Sequence, residues 1–141
     1  MKSQRFWMFC LLFVMLPACQ KNGPGASDEL IAKLRANMDK APESEAQVED
    51  LNSLAKEIVE KDAFGDMRRF EVQGKIGKGE PCSRHPDCMQ RGFDADDWVY
   101  TIGQQPESGV YFLPMLFIGF DREGHHSRSH YIVRDIPEET K

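Results

Sequence analysis

An apolar run near the N-terminus limits what this chain can fold into more than any other feature. Lys2 and Arg5 precede an uninterrupted run of eleven apolar residues, 6–16. A helix needs about 20 apolar residues to cross the hydrocarbon core of a bilayer, so this run is too short to span one. A charged start followed by a run of this length is typical of a secretory signal. We therefore expect residues 1–18 to be an export signal that is removed before the protein functions.

The end of this run predicts a lipid anchor. Residues 16–19, Leu-Pro-Ala-Cys, resemble a bacterial lipobox, in which the cysteine is acylated and becomes the new N-terminus. The alternative is a plain signal peptide that leaves Cys19 as an ordinary thiol. Residues 19–26 are expected to be a flexible tether, because turn-forming and polar side chains dominate them. In lipoproteins that this N-terminus resembles, aspartate after the cysteine favours the inner membrane. Gln20 stands there instead, so we expect a protein held by lipid at the outer membrane and facing the periplasm.

Cysteine usage agrees with export. If Cys10 leaves with the signal and Cys19 carries lipid, Cys82 and Cys88 are the only thiols of the folded body. Two thiols so close in sequence in an oxidising compartment are expected to form a disulfide bond. The alternative is a metal site that uses both cysteines and His85, but the sequence shows no fourth ligand nearby.

The charge of the chain argues against a nucleic-acid partner. The formal net charge is -5, and it becomes more negative if Lys2 and Arg5 leave with the signal. An acidic body is not attracted to phosphate backbones unless it carries a local basic stripe. The densest basic group, at positions 68, 69, 75 and 78, is surrounded by acidic residues. We therefore expect no nucleic-acid binding.

Two helices are predicted in the first part of the body. The first begins at Ser27, whose hydroxyl could cap it, and ends before Pro42. The second begins with the capping-box pair Ser44 and Gln47. Both carry apolar side chains at helical spacing, namely Leu30, Ile31, Leu34 and Met38 in the first and Val48, Leu51, Leu54, Ala55, Ile58 and Val59 in the second. Because their connection is short, we expect the helices to form an antiparallel hairpin.

The segment 66–77 has two interpretations. Phe70, Val72 and Ile76 alternate as in a strand, but Val72 and Ile76 also lie four positions apart as on a helix, with Gly77 placed to end it. Periodicity alone leaves helix and strand open for this segment.

The last third of the chain predicts an antiparallel meander. Residues 98–103, 110–120 and 127–135 are expected to be its three strands, with Pro114 indicating an edge or a bulge in the second. Residues 121–124, Asp-Arg-Glu-Gly, have the composition of a tight hairpin turn. A three-stranded sheet with one apolar face needs a cover, which the helical hairpin can provide. We therefore predict a two-layer α+β sandwich that forms a single domain over residues 27–141.

The polar residues do not form a catalytic pattern. Ser127 and Ser129 lie beside histidines, but the sequence has no glycine-flanked nucleophile and no orienting acid at recognisable spacing. If 126–130 is regular strand, His126 and His130 share one face, where they could form a weak metal site. We expect no enzyme activity and no cofactor.

Several motifs together resemble a known family. Trp98-Val99-Tyr100 opens a strand, and residues 116–124 form an apolar strand that ends in Phe-Asp-x-x-Gly. With the lipobox, these motifs are similar to the SmpA/OmlA group of small outer-membrane lipoproteins, which includes BamE of the β-barrel assembly machinery. The resemblance implies a role in binding or scaffolding proteins of the envelope. The pair of cysteines and the long helical pair depart from the family pattern.

The sequence thus leaves two classes of function. The first is a protein-interaction module whose partners are other envelope proteins and whose contact surface is built from aromatic side chains, namely Trp98, Tyr100, Tyr111 and Phe112. The alternative for these aromatics is that they fill the core beneath the helices. The second class is a lipoprotein that binds a small ligand or metal through His126 and His130.

Overall fold

The computed structural model of the protein describes residues 25–133. The elements in chain order are α1 (Ala26–Met38), α2 (Glu45–Glu60), α3 (Arg69–Ile76), β1 (Glu80–Pro81), a 3-10 turn (Cys82–Arg84), α4 (Pro86–Gln90), β2 (Trp98–Thr101), β3 (Met115–Phe120) and β4 (His126–Ile132). The predicted export signal, the lipidation site Cys19 and the end of the predicted third strand lie outside the described residues.

The first two helices form largely where their sequences predict. In α2 the Ser44 hydroxyl accepts a hydrogen bond from the Gln47 N–H at 3.3 Å. Four residues of the apolar stripe are buried, namely Leu51, Leu54, Ala55 and Ile58, and its two valines are half-buried. The start of α1 differs from the prediction. Gly25 occupies the capping position without a side-chain hydrogen bond, and Ser27 lies inside the first turn.

The ambiguous segment 66–77 is mainly helical, and a single bridge residue, Arg68, precedes the helix. Asp66 lies in a turn, and at Arg68 the backbone is extended and forms an isolated antiparallel bridge with His125. From Arg69 it is helical, because the Glu71 carboxylate accepts the Arg68 N–H at 2.7 Å and so caps the start of α3. Gly77 ends the helix with a φ of 83°, a conformation that glycine adopts without strain.

The sheet has four antiparallel strands in the order β1-β2-β3-β4, which corrects the predicted three. The additional strand, β1, is two residues long and pairs with Trp98 and Val99. The strand β3 begins at Met115 rather than at Val110, since Pro114 has no N–H to donate to a ladder. The mixed α+β architecture with helices preceding the sheet is confirmed.

The sheet is covered on both faces, not on one. On the first face, β2 and β3 pack against the helices through Trp98, Tyr100, Leu116, Ile118 and Phe120. On the second face the covering segment is the loop that Cys82 and Cys88 close. These cysteines form the predicted disulfide bond, with their Cα atoms 5.5 Å apart, and pack with Phe93 against Val99, Met115 and Phe117. Within residues 25–133, no helix is long and apolar enough to cross a membrane.

Candidate functional site

Trp98 and Tyr100, two of the four aromatics predicted to contact a partner, are core residues. They are 3% and 4% exposed. The Trp98 ring meets the Phe120 ring nearly edge-on, with centroids 5.0 Å apart, and the Tyr100 hydroxyl donates a hydrogen bond to the Gly77 carbonyl at 2.8 Å. Burial raises the pKa of the Tyr100 phenol well above its ordinary range. The expected exposure of these two rings is therefore contradicted, and they fill the core beneath the helices.

Tyr111 and Phe112 are partly accessible to solvent, and the exposed side chain of Val110 lies next to them. Both are half-buried, while Val110 next to them is 76% exposed. The side chain of Gln105 makes two hydrogen bonds to the backbone of Tyr111 in this loop. Its amide nitrogen donates to the Tyr111 carbonyl at 2.5 Å, and its amide oxygen accepts the Tyr111 N–H at 2.9 Å. These two hydrogen bonds connect Gln105 and Tyr111 across the loop between β2 and β3, and Val110 lies at the surface of this loop.

The same loop forms one wall of a groove of about 300 Å³, which we call the Tyr111 groove. Its lining residues are His85, Thr101, Gln105, Val110, Tyr111, Phe112, Leu113 and Met115. None of these side chains is a carboxylate, an ammonium or a guanidinium group. The imidazole of His85 lies 2.6 Å from the carboxylate of Glu80, Nε2 to Oε2, and is fixed by it. The groove is therefore suited to an apolar or uncharged occupant.

The edge of the sheet adjoins this groove. The short strand β1 pairs only with Trp98 and Val99, so within the described residues Thr101 at the end of β2 has no strand partner on its outer side. Thr101 is exposed and belongs to the groove lining. The groove thus joins apolar side chains to a strand edge.

His126 and His130 do not share a face of the sheet, so the predicted arrangement is wrong. In the ladder between β3 and β4, Phe120 lies opposite His126, but Gly119 lies opposite Arg128, which leaves Ser127 as an extra residue in a bulge. The bulge reverses the alternation of side chains.

His126 consequently belongs to the helix layer, and its ring centroid is 5.8 Å from that of Phe64. His130 lies on the second face, with its ring centroid 6.3 Å from that of Phe117. The two imidazoles therefore cannot ligate one ion from a common face.

The buried His126 is held by hydrogen bonds at both ring nitrogens. Its Nδ1 lies 2.6 Å from the Gly65 carbonyl oxygen and its Nε2 2.8 Å from the Ser129 hydroxyl, and its side chain is 2% exposed. A serine beside an imidazole is the first requirement of an activated nucleophile. Here the nearest carboxylate, that of Asp62, is 3.7 Å from Nδ1, and the imidazole is closed off from a substrate. These contacts provide hydrogen-bond partners for both nitrogen atoms of a buried imidazole, which is a structural role.

The side chains that commonly bind metal ions are not clustered among the described residues. Among residues 25–133 no group of three or more histidine, cysteine or acidic side chains is placed to hold an ion. The alternative site built from Cys82, His85 and Cys88 is contradicted, because the disulfide bond occupies both sulfur atoms and His85 contacts Glu80.

Comparisons of the chain with models of protein families, with curated proteins and with solved structures find no match. The resemblance to the SmpA/OmlA group therefore stays a prediction from sequence motifs.

Proposed function

We propose that this protein is an envelope lipoprotein that binds another envelope protein through the Tyr111 groove, without catalysing a reaction. The observation that supports the proposal most strongly is the solvent exposure of the Val110 side chain. An aliphatic side chain that is 76% exposed stands beside two half-buried aromatic rings, on a loop in which Gln105 makes two hydrogen bonds to Tyr111. Rigid apolar groups around a groove are typical anchors for a protein partner.

The groove favours an extended apolar segment as its occupant. Its lining contains no acidic, lysine or arginine side chain, and its histidine contacts Glu80, so the groove does not favour a charged ligand. The outer side of Thr101 offers the backbone of a strand edge to a peptide in extended conformation. We therefore infer that a partner inserts one or two apolar side chains beside Tyr111 and aligns its backbone with the end of β2.

The predicted lipid anchor supports this proposal. A protein tethered to a membrane meets other membrane-bound proteins at high local concentration, so modest intrinsic affinity is sufficient. Together with the resemblance to the SmpA/OmlA group, the anchor favours a role in outer-membrane assembly or integrity.

Metabolic labelling with a fatty acid should mark the wild-type protein and not Cys19→Ser. Equal labelling of both proteins would contradict the anchor.

The alternative function, capture of a metal or small ligand by His126 and His130, gains no support from the arrangement of these residues. The two rings lie on opposite faces of the sheet, and His126 is buried.

Site-specific photo-crosslinking in cells tests the proposal. A photoreactive amino acid at position 110 should give a discrete cross-linked product with one envelope protein. The matched control is position 70, because Phe70 is 68% exposed but lies on α3 in the helix layer. The absence of a product from position 110, or equal products from both positions, would contradict the proposal.

A further inference from the structure

A second recess lies on the face of the sheet that the disulfide loop covers, and its charge is opposite to that of the chain as a whole. It has a volume of about 440 Å³ and is lined by Gln90, Arg91, Phe93, Arg128, Ser129 and His130. We call it the arginine recess. Two guanidinium groups and an imidazole thus converge between the end of α4 and the edge strand β4, although the formal net charge of the chain is -5.

The guanidinium group of Arg128 is fixed in this recess. It lies 4.0 Å from the centroid of the Phe93 ring, and its Nη2 donates to the carbonyl oxygens of Arg91 and Gly92. A glycine permits this arrangement. A Cβ at Gly119 would lie 3.2 Å from the Arg128 side chain and equally close to the Phe93 ring. Stacking and hydrogen bonds thus position this side chain, and a group that is positioned before binding loses less entropy when it binds.

The hydrogen bonds of the Arg128 guanidinium group go to backbone carbonyl oxygens, which carry no formal charge. Both hydrogen bonds are made by Nη2, which leaves Nε and Nη1 of Arg128 as further donors. These are donors of the kind that oxygen atoms of phosphate or sulfate accept, with arginine favoured for its planar, forked geometry.

His130 adds a group that responds to this charge. Its partial burial and the charges of Arg91 and Arg128 lower the pKa of the imidazole. The neighbouring strand β3 carries no charged residue, and the acidic residue of α4 is Asp87. An anion between the two arginines would counteract their effect, so its binding should raise the pKa of His130.

We propose that the arginine recess binds a phosphate group between the guanidinium groups of Arg91 and Arg128. The phosphate belongs either to a small solute or to the headgroup of an anionic lipid, since both present the same oxyanion. This site is separate from the Tyr111 groove, whose lining residues it does not share.

Titration with inorganic phosphate tests the proposal on the full mature chain carrying Cys19→Ser, which keeps the protein free of lipid. NMR signals of the arginine Nε–H groups should shift with saturation, and the pKa of His130 should rise when phosphate is present. Arg91→Gln and Arg128→Gln should each weaken binding by about tenfold, because each removes charge-assisted hydrogen bonds. The matched control is Arg35→Gln on α1, in the helix layer, which makes the same change of net charge and should leave the affinity unchanged.

The source of the phosphate is distinguished by flotation with vesicles of phosphatidylcholine, alone or with phosphatidate. Flotation that requires phosphatidate and Arg91 assigns the recess to a lipid headgroup, whereas saturable phosphate binding alone assigns it to a solute. If Arg128→Gln fails to fold, Arg91→Gln carries the test, since α4 ends before this exposed side chain. The proposal is overturned if neither probe binds, or if Arg35→Gln weakens binding as much as Arg91→Gln.

Discussion

His126 and His130 lie on opposite faces of the same strand, although they are four positions apart. The reversal follows from the bulge at Ser127, which places His126 against Phe64 in the helix layer and His130 against Phe117 on the other side. One extra residue in β4 thus separates a buried structural histidine from one that faces the arginine recess. The two side chains should respond very differently to substitution.

We predict that His126→Ala lowers the free energy of unfolding by about 2–4 kcal/mol, because it leaves a cavity and removes the partner of buried polar groups. The hydrogen bonds to Gly65 and Ser129 and the contact with Phe64 are lost together. His130→Ala, at a half-buried position, should cost less than about 1 kcal/mol. Urea unfolding of both variants provides the comparison, and equal losses would contradict the assignment of the two faces.

The disulfide bond should contribute measurably to stability. Replacing Cys82 and Cys88 together by alanine should lower the free energy of unfolding by about 2 kcal/mol, because the unfolded chain is no longer constrained by the closed loop. Alanine avoids placing hydroxyl groups at two positions that are fully buried. A reducing agent should destabilise the wild-type protein and leave the double variant unchanged. Identical urea midpoints for the two proteins would show that the bond is not formed or does not stabilise the fold.

Tyr100 should make stability depend on pH in the alkaline range. Burial raises the pKa of this phenol in the folded protein, so the folded state retains its proton where the unfolded state, with a pKa of about 10, loses it. The free energy of unfolding should therefore fall as the pH rises above about 10.

Tyr100→Phe separates this effect from other alkaline changes. The variant should be about 1 kcal/mol less stable at neutral pH, because the Gly77 carbonyl loses its hydrogen-bond donor. Its stability should then decline less steeply than that of the wild type above pH 10. Parallel declines in the two proteins, followed by circular dichroism during urea unfolding, would contradict this role of the phenol.

The local signals in the sequence predicted the helices better than the sheet. The Ser44 cap and the apolar stripe of α2 act within a few residues of one another, so a single sequence contains them. The bulge at Ser127 leaves no such signal, because serine has no special preference for a bulge and the strand continues after it. The strand β1 was missed because two residues are too few to show a pattern.

The apolar run of β3 indicates that the second face of the sheet is also covered. All six residues of β3 are buried, and an unbroken apolar run of this kind is typical of a strand that is covered on both sides. If both faces of the sheet are covered, Trp98 and Tyr100 on the neighbouring strand β2 are expected to be core residues. The positions of Tyr111 and Phe112 could not be predicted in this way, since they depend on the hydrogen bonds between Gln105 and Tyr111 within one loop.

Recovery of the partner with matched surface variants tests the central claim most directly. The partner that cross-links to position 110 is quantified after purification of wild type, Val110→Asp and Phe70→Asp from solubilised membranes, with circular dichroism to confirm that each variant is folded. Both substitutions place a carboxylate on an exposed apolar position, but only Val110 lines the Tyr111 groove. We expect recovery to fall about tenfold or more for Val110→Asp and to remain at the wild-type level for Phe70→Asp. Undiminished recovery with Val110→Asp, or loss confined to Phe70→Asp, would contradict binding through this groove.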